Sequence, residues 1–582
     1  MQHSSKKLKH NSRPVKKTTD RDQTKDIINP DPGKTLVFQN IIEFVIIASA
    51  VSYSFLCFDA YLLNTFSLGG SFLPVFGLFM PEFCLAVWLI GKKSHVQPDI
   101  PVIALCIAIF CIIFLFQWSV SPSFLPMSTS ADYPHHYILI EYITSHGSLP
   151  PLNYGQIGEM AQYPFGPSFA TACISLIFGI SILNALALLS NIVLGCILVC
   201  SYLITLDLLK KSPSDKKIKS ILALASPIMI VSLPIYFIGQ LNHDFYYSMV
   251  WGELLVLVSL LILIKIESGD LSWLFLFMIT SMGIIYTYTL YIVIPFATVF
   301  VWLLLNKREV FARITKIYII SGSIVVALFL LFTYQRFSVG MGILEHEGAT
   351  VVFSLSNFNF LFIALVILGV FIAIHLSWIQ YKSPFSILLL ITIMEIFAFV
   401  ILNYFGKIAL YYADKNFYLL VLLLSPLTAI PLLHLVSKMQ TDSLKKIVGI
   451  SSVGLILIFS IFCVATFDLN KNPPVNNEDI TFSHDVETYF SGNNITYNNL
   501  TISDFPLKAY WSALMLHISK DYADQQYLGK YTSPDAWLNN PNSRYLIGEV
   551  AENSSLSTIE INGIRIQPIL HEGTHVLLEK SV

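Results

Sequence analysis

The chain has 582 residues, of which 55% are hydrophobic and only 12% charged, and its mean hydropathy is +0.66. That balance excludes an ordinary soluble protein of this length and implies a polytopic membrane protein. The net charge of −2 says little about partners, because the charges are sharply segregated along the chain. No nucleic-acid partner is expected. All eight cysteines lie in apolar stretches, leaving none for a disulfide framework in the polar C-terminal region.

Residues 1–35 form a basic tail ("KKLKHNSRPVKKTTDRDQTKD"), expected to be disordered and cytoplasmic and lacking the short apolar core of a signal peptide. Residues 36–467 carry about thirteen apolar runs of spanning length. These lie near 37–62, 71–91, 100–118, 182–208, 219–237, 247–265, 271–288, 290–305, 315–334, 358–380, 384–404, 416–437 and 446–467. A further run, 164–181, is interrupted by Gly166 and Pro167. The tail, "GKKSHV", "LKKSPSDKKIK", "NKREVFARITK" and "VSKMQTDSLKK" all favour the cytoplasmic side. They share it only if 164–181 lies at the outer interface instead of crossing. The expected topology is therefore a multi-pass cell-membrane protein with its N-terminus cytoplasmic and its C-terminus extracytoplasmic.

On that topology the external loops before residue 468 hold only three cations, Arg336, Lys407 and Lys415. Each either snorkels to lipid headgroups or has a task. The first long external loop, about 119–163, includes "SADYPHHYILIEY" (130–142) and carries Asp132, His135, His136, Glu141, His146 and Glu159 without any Lys or Arg. Asp132 suits a helix N-cap, with Pro134 in the first turn. A cap explains neither the histidines nor the missing cations, and an uncompensated carboxylate there suits a base, a hydroxyl partner or a metal ligand. Later external turns carry His243 and Asp244, then Arg336 with Glu345, His346 and Glu347, then Lys407, Tyr411, Tyr412, Asp414 and Lys415. An acid facing a cationic anchor is what transfer from an anionic lipid-phosphate donor requires.

Residues 468–582 read as a small extracytoplasmic α/β domain. "LKAYWSALMLHISKDY" has helical spacing, and "STIEINGIRIQPIL" reads as two strands around Asn562-Gly563. Near the end, "HEGTH" (His571, Glu572, His575) matches the H-E-x-x-H zinc pattern, which needs a helix to bring both histidines to one face. Gly573 and the strand-like flanks argue against that helix.

The acid after a span, followed by "GSLPPLNY" and "YPFGPSFATACISLIFGIS", resembles the GT-C superfamily of polytopic glycosyltransferases over roughly residues 100–440. The resemblance implies an all-α transmembrane module with juxtamembrane helices in its first long external loop, and inverting transfer of a sugar from a dolichyl- or undecaprenyl-phosphate donor to a glycan, lipid or protein acceptor. It further implies Asp132 as catalytic base, with "YPFGP" (Tyr163 to Pro167) as the juxtamembrane helix that cups the donor. Lys415, within "YYADKNFY" (Tyr411 to Tyr418), would face phosphate, and Asp244 would match a second acidic site. Substrate contacts are then expected from His135, His136, Tyr163, Arg336, Tyr411, Tyr412 and Lys415. A divalent metal, Mg or Mn, at Asp244 and His243 stays open. Two extra spans, Tyr-Pro at the helix start and the two histidines depart from the family's pattern. A transporter or flippase, or a polymerase of lipid-linked glycans, is the competing class; acids inside the spans (Glu43, Asp59, Glu82, Glu253, Glu395) are few and without repeat symmetry.

Overall fold

The computed structural model describes residues 41–66, 72–92, 99–130, 132–210, 212, 214–267, 273–306, 316–336, 359–376, 380–469, 473–503, 511, 516, 534–550, 556–561 and 563–581. The basic tail, Glu345, His346, Glu347 and most of the 507–522 stretch lie outside them. Continuous apolar sequence with every backbone group bonded within its own segment dictates helices. In chain order they are α1 (Ile41–Thr65), α2 (Phe72–Lys92), α3 (Ile100–Val120), α4 (Asp132–His146), α5 (Gly166–Phe178), α6 (Ile182–Leu209), α7 (Lys216–Ala223), α8 (Ala225–Val231) and α9 (Gly239–Asn242). There follow α10 (Tyr247–Glu267), α11 (Trp273–Thr287), α12 (Val293–Leu305), α13 (Lys316–Gln335), α14 (Phe360–His375), α15 (Pro384–Tyr404), α16 (Tyr411–Leu424), α17 (Ala429–Ser437) and α18 (Asp442–Ala465).

Seven of these stretches are long and apolar enough to cross a membrane: α1, α3, α6, α10, α15, α16 running on into α17, and α18. Shorter apolar helices, among them α5, α11 and α14, accompany them. The protein is thus a helical membrane protein. The exposed apolar side chains of α3, α14, α15 and α18, such as Ile112, Phe371, Phe397 and Phe462, are the surface that hydrocarbon would cover.

Two segments differ from their sequence reading. The run 219–237 is not one rod but α7, α8 and a short 3-10 turn, Pro234–Tyr236. Pro227 has no N–H to give the Ala223 carbonyl, and Leu233 is pushed out of helical geometry by Pro234. Ser226 of the broken segment shares a buried hydroxyl cluster with Ser201 and Ser425, at 2.5 and 2.9 Å. "YPFGP" is likewise not a helix. Tyr163 is extended (φ −66, ψ 154) after a 3-10 helix, Gly155–Gln162, and α5 starts only at Gly166. The N-terminal half of α5 is buried, while Leu176, Ile177 and Phe178 are exposed. A Cβ at Gly166 would collide with Tyr53 Oη and lie 3.0 Å from Cys57 Sγ, so glycine lets the start of α5 approach α1 this closely.

The C-terminal region is built from α19 (Asn477–Gly492), α20 (Pro534–Leu538) and a five-stranded sheet. Its strands are β1 (Leu500–Ser503), β2 (Tyr545–Glu549), β3 (Ile559–Ile561), β4 (Ile564–Glu572) and β5 (His575–Ser581), ordered β1-β2-β5-β4-β3. β1 and β2 are parallel and the other pairings antiparallel. The domain is not merely tethered. Its Phe482, Val486, Phe490 and Trp511 belong to the same buried core as the helical module.

Candidate functional site

The site is built where α4, the turn between α9 and α10, and the start of α16 converge beneath the C-terminal domain. At the entrance to α4 the amide of Asp132 donates to Ser130 Oγ at 3.2 Å, and that of Tyr133 to the Ser130 carbonyl at 3.2 Å. Ser130 therefore serves the helix start, and the Asp132 carboxyl is half-buried. Burial raises its pKa, the Lys415 ammonium opposes that rise, and Glu159 adds to it.

Asp244 approaches from the α9–α10 turn. Phe245 adopts φ +51, a left-handed conformation costly for a bulky residue. The bend sends the Phe245 ring against Tyr133 at 4.6 Å and leaves Asp244 facing Asp132 and Lys415. Burial first, then the Asp132 charge, push the Asp244 carboxyl to about 7; Lys415 and a hydrogen bond from Tyr418 pull it down. The Tyr418 hydroxyl donates to Asp244 Oδ2 at 3.5 Å.

Lys415, 7% exposed, feels both acids. Its Nζ sits 4.0 Å from the Tyr411 ring centroid and 4.4 Å from that of Tyr246, an aromatic cradle that partly repays desolvation of the ammonium. Tyr411, Lys415 and Tyr418 recur at i, i+4 and i+7, so one face of α16 carries all three. Among the described residues no ion pair within 4 Å joins Lys415 to either acid. The three groups act on one another through space.

His136 is 3% exposed, and its Nδ1 has no hydrogen-bond partner. Its ring lies 5.5 Å from Tyr163, 5.6 Å from Tyr247 and 6.0 Å from Phe245. Burial, helped by His135 and Lys415, lowers it to about 3, so it is neutral at pH 7. Tyr163 closes the same wall. Burial raises its hydroxyl, with Asp132 and Tyr412 adding to the effect. Tyr412 is buried and senses Asp132 and Glu159.

Two expected members stand elsewhere. The His243 ring is spent on the end of α18: Nε2 donates to the Asp468 carbonyl at 2.8 Å and the ring meets Phe467 edge-on at 5.3 Å. As a metal test, the site brings two carboxylates and an ammonium together. No group of three or more His, Cys, Asp or Glu that could hold a metal occurs among the described residues. Arg336 occupies a different wall. Its neighbours are Phe332, Tyr61 and Tyr286, whereas Lys415 acts on Asp132, Asp244 and His136. Lys407 is exposed.

Residues that the sequence reading did not single out complete the site. Tyr246 and Tyr418 flank Lys415 and Asp244. Trp511 of the C-terminal domain, 2% exposed, packs edge-on against Tyr133 at 4.9 Å and Tyr137 at 5.1 Å, covering α4. His484 of α19 reaches Glu141 of α4 at 3.1 Å. Phe245 also lines an apolar cavity of about 560 Å³ between α3, α6, α8 and α18, together with residues such as Ile109, Phe116, Leu194, Val231 and Ile461. "HEGTH" forms a β-hairpin: His571 and Glu572 end β4, Gly573 turns with φ +57, and His575 begins β5. The two histidines sit on different strands, not on one helical face.

The fold and site define a helical membrane protein with a buried acid–lysine–acid cluster under a docked α/β domain. No protein-family model matches the chain, and no curated protein does.

Proposed function

We propose that the protein is a GT-C-type inverting glycosyltransferase of about thirteen spans, with its C-terminal domain outside the cell. It moves a sugar from a polyprenyl-phosphate donor to a glycan, lipid or protein acceptor at the external face. The observation that carries this reading is the buried Lys415 acted on by both Asp132 and Asp244, next to an apolar cavity of about 560 Å³ that Phe245 also lines. Asp132 takes the proton of the acceptor hydroxyl as its oxygen bonds to the anomeric carbon. The bond from that carbon to the phosphate oxygen breaks with inversion, and its electron pair leaves on the phosphate, facing Lys415. A desolvated ammonium stabilises that developing charge far better than one in water. Trp511 and Tyr133 keep water from the base. Transport is the second reading, favoured by Glu253, a fully buried acid inside α10 with Gln240 beside it.

Sugar transfer by the purified protein from a synthetic polyprenyl-phosphate sugar is the test. Asp132→Asn is expected to abolish it. Equal activity in wild type and variant sinks Asp132 as base, and substrate uptake into vesicles without any transfer establishes transport instead.

A further inference from the structure

The wall that holds Arg336 is rich in donors and poor in acceptors. Arg336 follows the last turn of α13, where its amide donates to the Thr333 carbonyl at 3.1 Å. Its guanidinium lies 3.9 Å from the centroid of the Phe332 ring. Around it stand Tyr61 of α1 and Tyr286 of α11, with ring centroids 5.1 Å apart and each in edge contact with Phe332. The Tyr61 hydroxyl donates to Gln335 Oε1 at 2.9 Å. Among the described residues, Arg336 Nε and Nη1, the Tyr286 hydroxyl and, three residues back on α13, Thr333 Oγ1 are buried polar atoms without a hydrogen-bond partner.

Among the described residues, the titratable groups acting on Arg336 are two neutral tyrosines, with no carboxylate among them. A guanidinium cannot shed its proton at neutral pH. Burying it without an anion, together with two idle hydroxyls, is unfavourable. Natural proteins rarely leave such a group unpaired, so the missing partner is an acceptor-only anion. Phosphate esters match this donor set, since their several oxygens accept from a guanidinium N–H and from hydroxyls together.

We propose that Arg336, Tyr286 and Thr333 form an oxyanion site for a phosphate group, separate from the Lys415 cluster. Arg336 Nε–H binds a phosphate oxygen, and the two hydroxyls supply further donors. Phe165 is the link between the sites: its ring is 5.6 Å from Tyr286, and Tyr163, two residues earlier, borders His136. A phosphate at Arg336 would brace the α1–α11–α13 wall on which the start of α5 rests. The ligand's source is either a phospholipid headgroup or free phosphate.

The full-length protein in phosphatidylcholine nanodiscs is titrated with inorganic phosphate against chloride at matched ionic strength, reading Tm. A second preparation contains phosphatidylglycerol, and native mass spectrometry counts retained lipid. A saturable rise in Tm with phosphate assigns a soluble ligand. A rise confined to phosphatidylglycerol, with retained lipid, assigns a headgroup. In either case Arg336→Gln weakens the response at least ~10-fold, the scale of a lost charge-assisted contact, while Arg336→Lys keeps part of it. Should Arg336→Gln fail to fold, Tyr286→Phe and Thr333→Val are expected to weaken the same response. An identical response in wild type and variants, or none from wild type in either preparation, overturns the site. The readout needs no turnover, so this inference and the sugar-transfer reading fail independently.

Discussion

Two stretches of this chain combine histidines with acids, and they end in opposite circumstances. "DYPHHY" opens α4, so its polar groups are carried into a packed corner where a second acid and a buried lysine already wait. "HEGTH" straddles the β4–β5 turn, where Glu572 pairs with His575 across the ladder and His571 is exposed. The residue types are the same. What separates them is periodicity: a helix stacks groups three and four apart, while a hairpin sends them to different strands. A motif is chemistry only when its backbone puts the groups together.

The largest effect that tests this contrast belongs to the α4 corner. Asp132→Asn should lower sugar transfer by roughly 10²- to 10⁴-fold, the usual worth of a general base. Lys415→Met should lower kcat comparably, because the leaving phosphate loses its counter-charge. Both proteins should keep the wild-type Tm to within a few degrees. Loss of folding in Lys415→Met would make the lysine an architectural cation instead.

The hairpin should respond through stability alone. His575 Nε2 lies 2.5 Å from Asp479 Oδ1, and both are nearly buried. Asp479 also closes the capping box of α19, its Oδ2 accepting from the Asn476 amide at 2.6 Å. His575→Ala is therefore expected to destabilise the domain by about 2–4 kcal/mol, whereas exposed His571→Ala stays within about 0.5 kcal/mol. Thermal denaturation measures both. Equal losses, or rescue of either by zinc, would restore the metal reading of "HEGTH".

The contrast also shows what could be read from residues alone. Asp132, Asp244 and Lys415 were legible because charge in an apolar chain is conspicuous, and the 411/415/418 spacing already puts an aromatic–lysine–aromatic face on one helix. Arg336 was conspicuous for the same reason, yet nothing in its neighbours along the chain says that it joins Tyr61 and Tyr286 instead of Lys415. The bend at Phe245 and the landing of Trp511 on Tyr133 are tertiary events without a period or a motif. The break of 219–237 was half legible: Pro227 and Pro234 were visible, but the run's hydropathy outweighed them.

A subtler sign distinguishes the two acids of the corner. Asp244, held at about 7 by burial and by Asp132, is largely neutral below that pH and ionised above it. Once ionised it competes with the donor phosphate for Lys415. The KM for an anionic donor should therefore rise as pH passes upward through about 7, by roughly tenfold for a charge at this range in a partly desolvated site. Asp244→Asn should flatten that rise and leave kcat less affected. A pH-independent KM in wild type would remove Asp244 from donor binding.

The smallest effect concerns how the domain holds α4. His484 meets Glu141 of α4 at 3.1 Å and Glu487 of its own helix at 3.6 Å. The Glu141 hydrogen bond raises the imidazole above its ordinary value of 6.5 against the opposing pull of burial, with Glu487 adding to the rise. A raised folded-state pKa means that the contact contributes fully below the unfolded value and is lost as pH climbs through the folded one. His484 is partly exposed, so the contribution is below about 1 kcal/mol. Hydrogen exchange of α4 amides should accelerate modestly between pH 6 and 8 beyond the intrinsic rate, and His484→Gln should show no such excess. If the variant keeps the excess, the pH response belongs to Asp132 and Asp244, and the packing of Trp511 on Tyr133 and Tyr137 alone seats the domain on α4.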